Sequence, residues 1–224
     1  MKRRRTSALS VSAAALLATA APLLTGCSTD AHPGAAAVVG GERITVASVQ
    51  AQVETVRDAQ RARPEGDQLI SASSGLTRDT VEFLVYAEVL ERAAQDAGVE
   101  LTRRDVQEYR AQTEASVGGA EALAEAVLMP QNGTPLAGEE QIDRMLRTQL
   151  LFQSLAQELG VAPDANGLTQ MAAVLAETAE EIGVEVNPRY GEWDAEQVLL
   201  ADAPTPWLRS ADEDEATQAA TLDG

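Results

Sequence analysis

The sequence predicts a mostly helical domain of about six helices. In four segments apolar residues recur at helical spacing, and glycines or capping residues mark the ends of these and of two further helices. Hydrophobic residues make up 45% of the chain but aromatic residues only 3%, so the core must consist of Ala, Leu and Val. Small core residues of this kind allow helices to pack closely.

A short strand and a helix should open the domain. Residues 37–44 are typical of a strand with a turn at Gly40-Gly41. Thr45 should cap a helix over residues 46–63. The apolar stripe of this helix comprises Val46, Val49, Val53 and Val56.

A loop and a longer helix should follow. Residues 64–75 are rich in Ser and Gly and predict a loop. Thr77 should cap a second helix over residues 78–97, and Gly98 should end it. Its predicted inner side comprises Val81, Leu84, Val85, Val89 and Leu90.

Two further helices are indicated by their end signals. Thr102 and Asp105 have the spacing of a capping box at the start of a third helix, which should run to about residue 116 and stop at Gly118-Gly119. A short fourth helix is predicted over residues 120–128, with a loop at 129–138.

The last two predicted helices are followed by a short strand. The fifth spans residues 139–159 and should be buried on more than one side, through Ile142, Met145, Leu146, Gln149, Leu150 and Phe152. The sixth spans 166–182, with a stripe of Leu168, Met171, Ala172, Leu175, Ala179 and Ile182. Residues 184–186 alternate like a strand, a turn follows at 187–191, and residues 191–194 continue from it.

The first 26 residues are typical of a secretory signal, and Cys27 follows them. A run of basic residues precedes an apolar stretch, which Pro22 interrupts and which is too short for a good permanent membrane span. Thr25-Gly26-Cys27 resembles the bacterial lipobox, and this resemblance implies cleavage before Cys27 and its acylation, for example with palmitate. The alternative is plain secretion with a free thiol, which oxidising compartments disfavour.

The predicted domain organisation follows from the signal peptide and the predicted helices. Residues 1–26 form the signal peptide and 27–36 a tether, 37–208 form the helical domain, and 209–224 form a disordered acidic tail. A lipid on Cys27 would hold the protein on the extracytoplasmic face of the cell membrane.

The acidic charge limits the possible partners. The whole chain carries a net charge of -18, and without its first 26 residues 13 basic groups face 35 acidic ones, a net charge of -22. Nucleic acid is therefore an improbable partner, because phosphates need basic side chains to neutralise them. An acidic surface either attracts basic substrates or serves only solubility.

We predict no catalytic, cofactor-binding or metal-binding residues, and hence no enzyme. The single histidine, His32, lies in the predicted tether, and Cys27 is the single cysteine, so nucleophilic triads and zinc sites lack their ligands. The carboxylate pairs at 139–140 and 180–181 are interpreted as solvated helix charges, because adjacent residues do not share a helix face. The acidic run at 212–215 lacks the spacing of a calcium loop.

Two short motifs follow one another along the first half of the chain. They consist of Val38, Val39, Gly41, Ile44 and Thr45, then Ala94, Gly98, Val99, Leu101, Thr102, Asp105 and Val106. These residues and the order of the elements resemble the N-terminal domain of SurA and PrsA-like chaperones, which are secreted folding factors. Gly40 stands where that family usually has Asn. The resemblance implies that the strand at 37–44 pairs with 184–187 and so joins the two ends of the domain.

The resemblance also bears on activity. Many members insert a parvulin prolyl isomerase domain between the last two helices, where this chain has only residues 160–165. We therefore predict a chaperone-like protein that binds unfolded or secreted polypeptides on a concave apolar surface, without isomerase activity. The alternative is an envelope adaptor for one specific partner.

Two groups of side chains have alternative interpretations. The methionines Met129, Met145 and Met171 either adapt to a bound client or fill the core. Trp193 and Trp207 are either binding anchors or, as we favour, residues that pack the C-terminal segment onto the domain.

Overall fold

The structure, a computed structural model, describes residues 33–130 and 133–202. Several predictions lie outside these residues: the signal peptide, Cys27 and His32, Trp207, and the acidic tail. Within the described part the chain forms seven helices and five short strands, which confirms the mostly helical class.

The elements follow one another without long interruptions. The helices are α1 (Val46–Arg61), α2 (Gly66–Ala72), α3 (Leu76–Asp96), α4 (Arg103–Val117), α5 (Ala120–Leu128), α6 (Glu139–Glu158) and α7 (Ala165–Ile182). The strands are β1 (Ala35–Val39), β2 (Glu42–Thr45), β3 (Val184–Val186), β4 (Glu192–Asp194) and β5 (Leu199–Ala201).

A three-stranded antiparallel sheet joins the two ends of the domain, in the order β2-β1-β3. Gly40 and Gly41 have φ angles of 57° and 87° and form the tight turn between β1 and β2, a conformation that suits glycine. Val39 pairs with Val184 across β1 and β3. This confirms both the predicted strand with its turn and the pairing with 184–186.

Helix α3 forms the centre of the core. It packs against α1, α6, α7 and β1. Its predicted inner side is buried as expected, and the side chains of Leu155 from α6 and Leu175 from α7 contact the same cluster. The core thus consists mainly of Val, Leu and Ala, in agreement with the low aromatic content.

Helix ends follow the predicted capping signals in most cases. The Thr45 side chain accepts a hydrogen bond from the Ser48 N–H, and Thr102 and Asp105 form the predicted capping box. Thr77 is an exception, because α3 begins two residues earlier than predicted, at Leu76, with Gly75 at its N-cap. Leu76 is fully buried against Val56, and this contact draws it into the first turn of the helix.

The loop predicted at 64–75 is wrong, because α2 lies within it. Contacts distant in sequence hold this helix: Arg57 Nη2 donates to the Ser73 carbonyl oxygen at 2.6 Å, and Nη1 donates to Ser73 Oγ at 2.7 Å. A Cβ at Gly66 would lie 2.6 Å from the Gln60 carbonyl oxygen, so glycine permits the close approach of α2 to α1.

The C-terminal segment also differs from the expectation. Beyond the predicted turn, β4 pairs with β5 as a hairpin that periodicity did not indicate. Trp193 packs against the main core, which confirms its interpretation as a packing residue. In α7, Leu168 is 61% exposed and does not belong to the buried stripe, because it lies in the first turn, beyond the reach of the core.

A candidate polypeptide-binding groove

An apolar groove runs between α3 and α6. It consists of two adjoining cavities, of about 510 Å³ and about 570 Å³. The residues that line both cavities are Phe83, Tyr86, Met145 and Gln149. Because the cavities share these side chains, they form one continuous surface.

One face of α3 supplies the floor of the groove. Asp79, Glu82, Phe83 and Tyr86 are spaced at i, i+3, i+4 and i+7, which places them on one side of the helix. Further along the helix this same face is buried, because Val89 and Leu90 follow Tyr86 at i+3 and i+4 and belong to the core. The groove face of α3 is therefore open only along the first half of the helix, where neighbouring helices leave it partly exposed to solvent.

Three of the seven aromatic side chains of this chain line the groove. The sequence has only two phenylalanines, and both Phe83 and Phe152 line the groove. Tyr86 lies between them in the shared part, and burial raises the pKa of its phenol. A set of half-buried aromatic rings offers large apolar contact area to a ligand.

The far wall comes from α5 and the loop after it. Leu123 and Val127 of α5 and Leu136 of the following loop line this wall. The Leu136 N–H donates to the Val127 carbonyl oxygen at 2.9 Å, which ties the loop to the helix. Thr113 of α4 completes the wall.

The β4–β5 hairpin closes the end of the groove near the start of α3. Arg78 donates to the carbonyl oxygens of Tyr190 and Leu200, and Glu82 Oε2 accepts the Leu200 N–H at 3.0 Å. Val198 from the hairpin turn lines the groove with a φ of 55°, which β-branched residues rarely adopt. These hydrogen bonds hold the hairpin against α3, and Val198 of the hairpin lines the groove.

The groove is acidic at this same end. Burial raises the pKa of the Asp79 carboxyl, and the neighbouring Arg78 guanidinium opposes this shift only in part. Among the described residues that line the two cavities, none is Arg, Lys or His. The arrangement is therefore an apolar cleft with negative charge at one end.

Of the residues singled out from the sequence, few lie in the groove. Met145 lines it, whereas Met171 is 2% exposed in the core and Met129 packs beside Val56. The paired glutamates at 139–140 and 180–181 are exposed on their helices. Cys27, the predicted lipidation site, lies outside the described residues.

The aromatic residues of the groove were missed, apart from Phe152, which was expected to be buried. Phe83 and Tyr86 carried a usable signal, since they lie at i and i+3 on α3 and were not part of its predicted inner side. Apolar residues beyond the predicted inner side of a helix indicate either another packing partner or a binding surface.

Neither a metal site nor a membrane span is visible in the described part of the chain. No group of three or more His, Cys, Asp or Glu residues there could hold a metal ion. None of the helices described is long and apolar enough to cross a membrane.

Comparison with known families identifies the chain. The sequence model of the SurA-like N-terminal domain matches residues 1–156, well over half of the 224 residues. No curated protein and no solved structure matched in the same comparisons. The matched span contains α1 to α5, including the whole of α3, and nearly all of α6. The chain therefore belongs to the SurA-like N-terminal domain family, a family of the chaperone type.

Proposed function

We propose that this protein is a membrane-anchored, extracytoplasmic chaperone-like protein that binds unfolded or secreted polypeptides. The observation that carries the proposal is the groove between α3 and α6, in which Phe83, Tyr86 and Phe152 remain half-exposed. Half-exposed aromatic rings are costly for a domain that only needs to fold, and they are useful to one that captures apolar segments.

The proposal includes the absence of isomerase activity. Residues 159–164 alone separate α6 from α7, so this connection holds no additional domain. The groove itself offers acids and amides but, among its described lining, no histidine or cysteine. A prolyl-peptide isomerisation assay should therefore give the uncatalysed rate, and a rate well above it would overturn this part.

Anchoring and location rest on the sequence around Cys27. Lipid attached there would hold the acidic domain at the outer face of the cell membrane, within reach of polypeptides that emerge from it. Cells that express the Cys27→Ala variant should lose incorporation of labelled palmitate and release the protein from the membrane fraction. Retention of both label and membrane association would contradict the proposal.

The client-binding activity can be tested by suppression of aggregation. A chemically denatured secreted protein is diluted with stoichiometric amounts of the full chain, and light scattering is followed. Phe83→Ala and Phe152→Ala should each weaken client binding by up to about tenfold, because each removes apolar contact worth about 1.4 kcal/mol.

A matched control separates groove effects from general loss of apolar surface. Leu168→Ala removes an exposed apolar side chain from α7, outside the groove lining, and should leave suppression unchanged. Thermal unfolding of each variant verifies that the fold is retained. If wild type fails to suppress aggregation and crosslinking in cells yields one specific partner, the adaptor function replaces the chaperone function.

A further inference from the structure

We propose that the groove selects apolar segments that also carry a basic residue, and that Asp79 is the residue that recognises the cation. This inference rests on the proposed function and adds the class of polypeptide that the groove takes. Its basis is the position of the Asp79 carboxylate at one end of the aromatic floor.

The first step is that Asp79 is available to a ligand. Its carboxylate accepts no hydrogen bond from any residue in the described part of the chain, and the neighbouring Arg78 is engaged elsewhere. The guanidinium of Arg78 binds two carbonyl oxygens of the C-terminal segment and lies 3.4 Å from the carboxylate of Asp202. Glu82 is also in use, because it accepts the Leu200 N–H.

The second step is charge complementarity. The described lining of the groove contains Asp79 and Glu82 but no basic side chain that could neutralise them. The chain as a whole has a net charge of -18, so its field attracts basic segments and repels acidic ones. The aromatic faces of Phe83 and Tyr86 add a favourable site for a cation, which Arg would use best.

The third step is spacing. Asp79 and Phe83 are four residues apart on α3, which corresponds to about 6 Å along the helix axis. An extended peptide advances about 3.3 Å per residue and points side chains i and i+2 to the same side. A segment with an aromatic residue and a basic residue two positions apart therefore fits the floor of the groove.

The test compares three peptides on the full chain by fluorescence anisotropy. They are identical nonamers except that the position two after a central Phe is Arg, Gln or Glu. The Arg peptide should bind about fivefold more tightly than the Gln peptide, as expected for one partly buried ion pair, and the Glu peptide should bind most weakly.

Two variants distinguish recognition by Asp79 from attraction by the acidic surface. Asp79→Asn should bring the Arg and Gln peptides to equal affinity while the Gln peptide still binds. Asp67→Asn removes an exposed acid from the first turn of α2, outside the groove lining, and should keep the preference.

Each result has a distinct meaning. Equal binding of the three peptides to wild type overturns the inference and leaves the proposed function intact. A preference that survives in Asp79→Asn overturns the role of Asp79. If no peptide binds wild type, both the inference and the proposed function fail.

Discussion

Substitution of Arg110 should reveal how α4 is held against α6. The guanidinium is 12% exposed and forms ion pairs with Glu114 at 2.7 Å and with Asp143 at 2.6 Å, and a third with Glu139. Glu114 foremost, and then Asp143 and Glu139, raise the pKa of the guanidinium by hydrogen bonding. Arg110→Ala would leave three carboxylates without their shared cation.

The free energy of unfolding that Arg110→Ala should lose lies between two limits. Exposed ion pairs contribute up to about 1 kcal/mol, whereas breaking a buried pair costs about 3–5 kcal/mol. The Arg110 side chain is nearly buried, but its partners are 25%, 39% and 79% exposed, which screens their charges. We therefore expect Arg110→Ala to lower the free energy of unfolding by about 2 kcal/mol.

The chain offers a matched control on the same helix. Arg104 is paired with Glu108 at 2.7 Å, also four residues ahead, but its side chain is 85% exposed. Arg104→Ala should cost about 0.3–0.5 kcal/mol. Urea unfolding, followed by circular dichroism, measures both variants. If both variants lose the same free energy of unfolding, or if Arg110→Ala loses less than about 0.5 kcal/mol, the argument that burial and shared ion pairs make this cluster stabilise the fold is refuted.

Three further predictions concern individual positions. A Cβ at Gly167 would lie 1.7 Å from the Ala162 carbonyl oxygen. Gly167→Ala should therefore lower the free energy of unfolding by at least about 2 kcal/mol in urea titrations. The control variant Asn166→Ala, at the exposed neighbouring position, should lower it by about 0.5 kcal/mol or less. Thr102→Ala removes the N-cap of α4 and should cost about 1 kcal/mol; no change in the urea midpoint would contradict the role of the cap. Because burial raises the pKa of Asp79, the folded state binds its proton more tightly than the unfolded state does. Asp79→Asn should therefore be more stable than wild type at neutral pH, and the difference should shrink as pH falls through that raised pKa; a difference that grows on acidification would contradict the sign.

Where the sequence carries strong local signals, its predictions agree with the structure. α5 has the predicted bounds, residues 120–128, because glycines precede it and an apolar pattern fills it. The capping box of α4 and the end of α3 before Gly98 were predicted for the same reason, namely that these signals lie within a few residues of one another.

Elements that depend on distant contacts were missed. α2 is short and its composition is that of a loop, but Arg57 fixes its end through Ser73, 16 residues away. The β4–β5 hairpin likewise depends on Arg78, more than 100 residues earlier in the chain. Periodicity within a window of 11–18 residues contains no information about such partners.

A concave apolar surface was predicted, but of the residues that line the groove only Met145 was named as a possible contact for a client. Helical periodicity shows which residues share a face, but it does not show whether a neighbouring helix covers that face. On α3 the face of Phe83 and Tyr86 continues into the buried Leu90, and only the packing of the neighbouring helices decides that its first part stays accessible. Apolar residues beyond the predicted inner side of a helix are therefore the signal worth weighing in related sequences.

Several features of this groove are unfavourable for the isolated domain and agree with the proposed binding function. A half-buried carboxylate without a hydrogen bond from the described residues lowers stability at neutral pH, and half-exposed aromatic rings lower solubility. Asp79 and Phe83 share one face of α3. Val198, in a rarely adopted conformation, faces the same space. A ligand would compensate for unfavourable features that meet on one surface, because a partner that brings apolar area and a cation would relieve the first two together.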